Sequence, residues 1–157
     1  MEKADFIQLY LQLVPNLYSI AMSIVRNRAD AQDAVQETAL KAWLHAEHIR
    51  PGSEKPYITR ILINECYNIL RSRHRTIPVS EFPDSDISDP GLFELKDAID
   101  RLPEKLRTAL LLVYQEGYSH QEAAEALHIH PVALKSRLKR AKAKLRAQLI
   151  EIEEESL

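Results

Sequence analysis

The residues best suited to do chemistry in this sequence are cations, and they are grouped. Between Lys135 and Arg146 stand seven bases (Lys135, Arg137, Lys139, Arg140, Lys142, Lys144 and Arg146) and no acid. Arg71, Arg73, His74 and Arg75 form a second cluster. Such densities suit phosphate oxygens, and arginine can also read a guanine edge through two parallel hydrogen bonds. A solvated helix face is the plain alternative for any single charge run. The acids are segregated elsewhere, in Glu81–Glu104 and in Glu151, Glu153, Glu154 and Glu155. The net charge of −2 over 157 residues therefore hides a basic surface, and binding follows the local field.

Catalytic chemistry finds no comparable grouping. The six histidines are scattered, and His128 and His130 lack a third ligand at useful spacing. Cys66 is the single cysteine, which rules out an intramolecular disulfide. There is no glycine-rich phosphate loop and no set of residues from which a triad could be built. The expectation is a protein that is not an enzyme, with no catalytic residues, metal or cofactor. No apolar run approaches the roughly 20 residues of a membrane span, and the first residues lack the pattern of a signal peptide. A cytoplasmic location is the default.

The elements that must position the cations are helices. Only three glycines occur, and Ala, Leu, Glu, Lys, Arg and Gln dominate long stretches. Phe6, Leu9, Tyr10, Leu13, Leu17, Ile20, Ala21 and Ile24 recur at helical spacing, with Pro15 marking a kink or a new first turn. A second helix is expected from Asp30 to about Glu47, a loop from Arg50 to Pro56, and a third helix from about Tyr57. Thr76–Gly91 has three prolines, three serines and four acids without a sustained period, the composition of a flexible linker. Beyond it, a short helix is expected over Leu95–Leu102, and Pro103 suits the first turn of the next. Gly117 stops that helix, Ser119 to Glu122 form a capping box, and Pro131 opens a long last helix. No strand and no internal repeat are expected. The fold class is all-α, with two small helical domains at 1–75 and 95–157 joined by a flexible acidic linker at 76–94.

Tyr118–Arg140 reads as a helix-turn-helix: a short capped helix, a three-residue turn and a basic amphipathic helix. An α-helix fits the major groove, where base edges are distinguishable, and the first half of the second helix reaches them. Val132, Lys135, Ser136 and Lys139 or Arg140 are placed toward bases. Arg137, Lys142 and Lys144 are placed toward phosphates or solvent. An ordinary helical hairpin with a basic face would show the same pattern.

Around this motif, Arg101-Leu102-Pro103, Leu106-Arg107, Leu110-Leu111-Leu112, Glu116-Gly117-Tyr118-Ser119, Glu122-Ala123-Ala124 and Leu134 to Ala141 resemble region four of the extracytoplasmic-function sigma factors. Asp30 to Trp43, and Tyr57 to Asn64 followed by Leu70-Arg71, independently resemble region two of the same family. The two matches stand in the family's order and cover nearly the whole chain.

The resemblance implies a promoter-specificity subunit of bacterial RNA polymerase that initiates transcription of a stress or envelope regulon. It places Asp30, Asp33, Gln36, Glu37, Lys41 and Trp43 on the helix that docks on core polymerase. Spacing alone puts Asp30, Asp33, Glu37 and Lys41 on one polar stripe, which would also fit a solvated face with a Glu37–Lys41 pair. Trp43 fits core or interface. The resemblance makes Asn64 the residue that captures a flipped base of the minus-ten element, while a merely local polar role is its alternative. Tyr57 and Tyr67 could stack on bases or pack, and Arg71, Arg73 and Arg75 suit phosphates. The helix-turn-helix takes the minus-thirty-five element.

Four positions depart from the family pattern: Tyr57 where tryptophan is usual, Asn68 for a common aspartate, His128 for a turn glycine, and Ala133 for a hydroxyl residue. They bear on promoter sequence more than on class. The implied partners are core RNA polymerase, promoter DNA and an anti-sigma factor, which in the family is often membrane-anchored; no small-molecule substrate is implied. The competing reading is an autonomous helix-turn-helix regulator, which would have no use for the Asp30–Trp43 helix or the Asn64 segment. A helical adaptor without DNA binding is a third.

Overall fold

A computed structural model describes residues 1–73 and 90–155, with side chains described through residue 73 and over 94–150. Seven α-helices follow one another in it: α1 (Lys3–Val25), α2 (Arg28–Leu44), α3 (Glu54–Arg73), α4 (Pro90–Asp100), α5 (Glu104–Leu110), α6 (His120–Leu127) and α7 (Pro131–Glu155). No strand occurs among the described residues. Arg75 and the acidic stretch up to Asp89 lie outside them.

α1 continues without a break past Pro15, which faces solvent. Phe6, Tyr10, Leu17, Ile20 and Ile24 form its buried stripe. Arg26 ends it at φ +55°, with its N–H bonded to the Met22 carbonyl. The next helix starts earlier than periodicity suggests because Asn27 caps it, its side chain accepting from the Asp30 N–H at 3.0 Å. Ala31, Ala34 and Ala42 let α2 approach its neighbours closely, and the buried Tyr10 hydroxyl donates to the Val35 carbonyl. Desolvation pushes that phenol up to about 12. α2 stops at Leu44, and a 3-10 turn, Ala46–His48, completes the expected span. α3 starts at Glu54 rather than Tyr57, since Pro56 is tolerated in a first turn. Ile58, Leu62 and Cys66 are fully buried in it, and burial pushes the Cys66 thiol up to about 12, so it is inert.

In the second half, α4 begins at Pro90, inside the segment expected to be linker. α5 widens into a π-helical turn over Leu111–Gln115 before Gly117 ends it at φ +74°. A Cβ at Gly117 would meet nothing within 4 Å, so a side chain there costs only backbone strain. His128 ends α6 in the same left-handed region, at φ +56°. Gly117→Ala is expected to lower stability by about 1 kcal/mol, and the exposed His128→Gly to raise it by somewhat less. Urea midpoints measure both; a loss at both positions would contradict this reading of the turns.

The two halves, whose relative placement the sequence left open, share one hydrophobic core. α6 packs along α3, and α1 meets the α5 region. Polar groups cross between the halves as well. Glu116 accepts from Asn16 Nδ2 and Ser19 Oγ, each at 2.6 Å. The Tyr118 hydroxyl donates to Asn16 Oδ1 at 2.8 Å and lies 2.7 Å from Thr59 Oγ1. Lys55 stands 4.0 Å above the Tyr118 ring and 3.7 Å from Glu122. Arg60 donates to the Glu125 carbonyl at 3.3 and 3.0 Å, satisfying the last turn of α6. Arg26 does the same for α4, donating to the Asp100 carbonyl at 3.1 Å.

Candidate nucleic-acid interface and docking face

The helix-turn-helix is fixed at each joint. Ser119 Oγ accepts from the Glu122 N–H and Glu122 Oε1 from the Ser119 N–H, both at 3.0 Å. These bonds, chiefly the one from the Ser119 backbone, hold the Glu122 carboxyl below the usual carboxylate range, with Lys55 adding to them. At the turn, the N–H groups of His128 and Ile129 return to carbonyls of the last turn of α6. His130 Nδ1 then accepts from the Val132 N–H at 3.1 Å, at the start of α7.

α7 buries Leu134, Leu138 and Ala141. At 100° per residue, Val132, Ser136 and Lys139 lie on the opposite side, with Lys135 and Arg140 flanking them. All five are exposed, Val132 by 68%. Exposure of an apolar residue at this position is what a thymine methyl contact would require. Arg137 is half-buried. The Lys142 ammonium rests 4.6 Å above the exposed Tyr114 ring. Sequence reasoning had not singled out Tyr114; its place on the π-turn, which rotates the helix surface, explains why periodicity missed it.

On α3, Tyr57, Asn64, Asn68 and Arg71 share one face. Asn64 and Arg71 are exposed, Tyr57 is half-buried, and the Arg71 guanidinium donates to the Asn68 side-chain oxygen. Tyr67 points elsewhere: its hydroxyl donates to Thr108 Oγ1 at 3.1 Å, and burial raises its pKa. Of the two roles open for Tyr67, packing is the one this structure displays. Arg73 pairs with Asp30, joining a residue expected on DNA to one expected on the docking face.

The α2 stripe is divided in the same way. Asp33, Gln36 and Glu37 face solvent, whereas Lys41 bonds Glu65 on α3 rather than pairing chiefly with Glu37. That bond raises the Lys41 pKa. Trp43 is half-buried. Its ring meets Phe6 edge-on at 6.0 Å, and the Lys3 ammonium lies 5.0 Å from its centre. It also lines an open apolar groove of about 330 Å³ with Phe6, Ile7, Tyr10, Leu11, Ala39 and Leu40. The exposed Leu40 and Leu44 continue the Asp33–Gln36 stripe along α2. Sequence reasoning missed this apolar end; its signal is leucines on a helix face already occupied by charges. No cluster that could hold a metal occurs among the described residues.

Comparison with known proteins matches both halves. Residues 9–76 match the family model for Sigma-70 region 2, and residues 92–145 that for Sigma-70, region 4. The ECF RNA polymerase sigma factor EcfG of Rhodopseudomonas palustris is 34% identical over 88% of this chain and 82% of its own length. The RNA polymerase sigma factor CarQ of Myxococcus xanthus is 33% identical over 94% and 91%. Among solved structures, the sigma factor RpoE of Bartonella quintana, crystallised with the anti-sigma factor NepR, superposes with a TM-score of 0.76 at 30% identity, covering 92% of this chain and 96% of that one. CnrH, solved with the cytosolic domain of CnrY, gives a TM-score of 0.71 at 25% identity, covering 96% and 90%.

Proposed function

This chain belongs to the extracytoplasmic-function sigma factors, the promoter-specificity subunits of RNA polymerase, and from that premise we propose how its surface divides the work. The exposed carboxylates of α2, Asp33 and Glu37 with Gln36 between them, dock on core polymerase. The Tyr57–Asn64–Arg71 face of α3 takes the melted minus-ten element. The outer face of α7, from Val132 to Arg140, reads the minus-thirty-five element, while Lys142 and Lys144 meet phosphates. An anti-sigma factor, as in the complex solved for the Bartonella quintana sigma factor, restrains the protein. No described helix is long and apolar enough to cross a membrane. The protein acts in the cytoplasm and contributes specificity rather than catalysis.

The observation that carries this reading is the combination, in one chain, of an exposed acidic stripe on α2 and an exposed polar face on α3 around Asn64 with an exposed basic face on α7. A self-sufficient repressor needs only the last. Co-purification with core polymerase separates the two, because a repressor would bind duplex DNA alone and leave polymerase behind.

Asn64 offers a sharper test of the minus-ten assignment. It is exposed, so removing its amide leaves no buried group unpaired. Asn64→Ala is expected to impair promoter melting by about tenfold, from loss of one to two hydrogen bonds to an extruded base, with little effect on duplex binding. Permanganate footprinting reads the melted thymines. Normal opening by the variant would remove Asn64 from the base pocket.

A further inference from the structure

Among the described side chains, Tyr114 is the one aromatic that is exposed rather than packed, with 56% of its surface open. It stands on the π-helical turn Leu111–Gln115, ahead of the helix-turn-helix, and turns of this kind occur often at functional sites. Burial does not account for a tyrosine there. What the ring does contact is a cation: the Lys142 ammonium lies 4.6 Å above its centre. At that distance the negative face of the ring attracts the ammonium. Lys142 also belongs to a track of cations. At 100° per residue, Lys135, Lys139, Lys142 and Arg146 fall within about 60° of one another, while Arg140 and Lys144 take the other edge of α7. All four residues of the track are exposed, and none forms an ion pair among the described residues. Lys142 lies about 15 Å along the helix axis from Val132, further than the roughly 12 Å width of a major groove. A helix whose first half reads bases therefore carries Lys142 to the wall of the groove, where phosphates and sugars stand.

We propose that Tyr114 is a positioning residue for DNA binding: its ring holds the Lys142 ammonium where a phosphate of the duplex is taken. The inference rests on the proposed function of α7. An ammonium has three donors, and a ring beneath it occupies one side and leaves the others for phosphate oxygens. A free lysine gives up much rotamer freedom to make such a contact, whereas one already resting on a ring gives up less. A phosphate carries no base information, so the pair adds affinity for duplex DNA and not choice of sequence. It also extends the DNA-binding surface beyond the helix-turn-helix, onto the turn that precedes it.

The test uses holoenzyme assembled from core polymerase and the full-length chain, titrated onto matched and scrambled upstream duplexes at two salt concentrations. Tyr114→Leu should lower affinity for both duplexes by about threefold, the effect of losing an exposed cation–π contact. The salt slope should keep its parent value, because Lys142 still displaces a counterion. Tyr114→Phe keeps the ring and should keep the affinity. In a chain that already carries Lys142→Ala, Tyr114→Leu should change nothing further, since the two residues act as one unit. Nuclear magnetic resonance of the free chain should show the Lys142 ε-methylene protons shifted by the ring in the parent and in Tyr114→Phe, and unshifted in Tyr114→Leu. The proposal is overturned if Tyr114→Leu binds DNA as tightly as the parent, or more tightly, as a ring that draws the ammonium away from phosphate would produce. A loss with Tyr114→Phe equal to that with Tyr114→Leu overturns it too, by making the hydroxyl the contact. So does a loss that appears when the chain is titrated onto core polymerase without DNA, which would make the pair a protein contact. A parent that binds matched and scrambled duplexes alike would instead sink the base-reading assignment of α7, and the response of both duplexes to Tyr114→Leu would still decide for or against Tyr114.

Discussion

Reversing charge at Asp33 and Glu37 together is expected to weaken core-polymerase binding by about 100-fold, or about 3 kcal/mol. Both carboxylates are exposed on α2 and neither is tied to α3. They differ in this from Asp30 and Lys41, which pair with Arg73 and Glu65. Asp33→Lys with Glu37→Lys places two ammonium groups where a complementary partner presents cations, and like charges across an interface cost several kcal/mol. The cost to the fold is small: the change at Glu37 puts like charges four residues apart with Lys41, worth about 0.5 kcal/mol. A competition assay against the parent chain measures affinity, with far-ultraviolet circular dichroism as the check on helicity. Unchanged affinity with a normal spectrum would move docking off this face. Substituting Asp30 is the less clean experiment, because it breaks the ion pair with Arg73 and so confounds docking with an internal contact.

The second large effect is expected at α7. Arg140 and Lys142 are two residues apart, so they sit on opposite edges of the exposed face. Arg140 flanks the base-facing set, and a good bidentate contact to a base is worth roughly 1–3 kcal/mol of discrimination. Arg140→Ala should therefore lower holoenzyme affinity for a matched upstream element by about tenfold or more and hardly change affinity for a scrambled one. Lys142 is already drawn over Tyr114. Lys142→Ala should weaken binding to either DNA by a smaller factor and reduce the salt slope by about one unit. Titrations onto both DNAs at two salt concentrations distinguish the cases. Equal losses for both variants on both DNAs would reduce the helix to a basic surface.

The second half of the chain was the more legible because its punctuation is local. Gly117, the Ser119–Glu122 box and Pro131 each act within a turn of their own position, and each stands where the sequence placed it. The first half is punctuated less overtly. Asn27 caps α2 three residues ahead of the first aspartate, and Pro56 sits inside α3 rather than before it. The contact between halves could not be read at all. Asn16, Ser19 and Arg60 are polar residues on amphipathic helices, and such residues read as solvent-facing unless a partner 65 to 100 positions away is known. The same limit applies to Tyr67: its spacing is equally consistent with stacking and packing, and only the position of Thr108 decides which this structure displays. The apolar groove beside Trp43 shows the converse, since Leu11 and Leu40 look like core residues by type and are exposed by 66% and 60%.

Reconstituted transcription shows most directly whether this chain gives RNA polymerase its choice of promoter. Core polymerase is incubated with a library of upstream sequences, with and without the full-length chain, and the transcript starts are mapped. Discrete starts should appear only with the chain, at a fixed distance downstream of two shared elements, and should vanish with the Asp33 and Glu37 reversals. Starts that are unchanged by the chain, or a chain that binds duplex DNA and only blocks transcription, would contradict it.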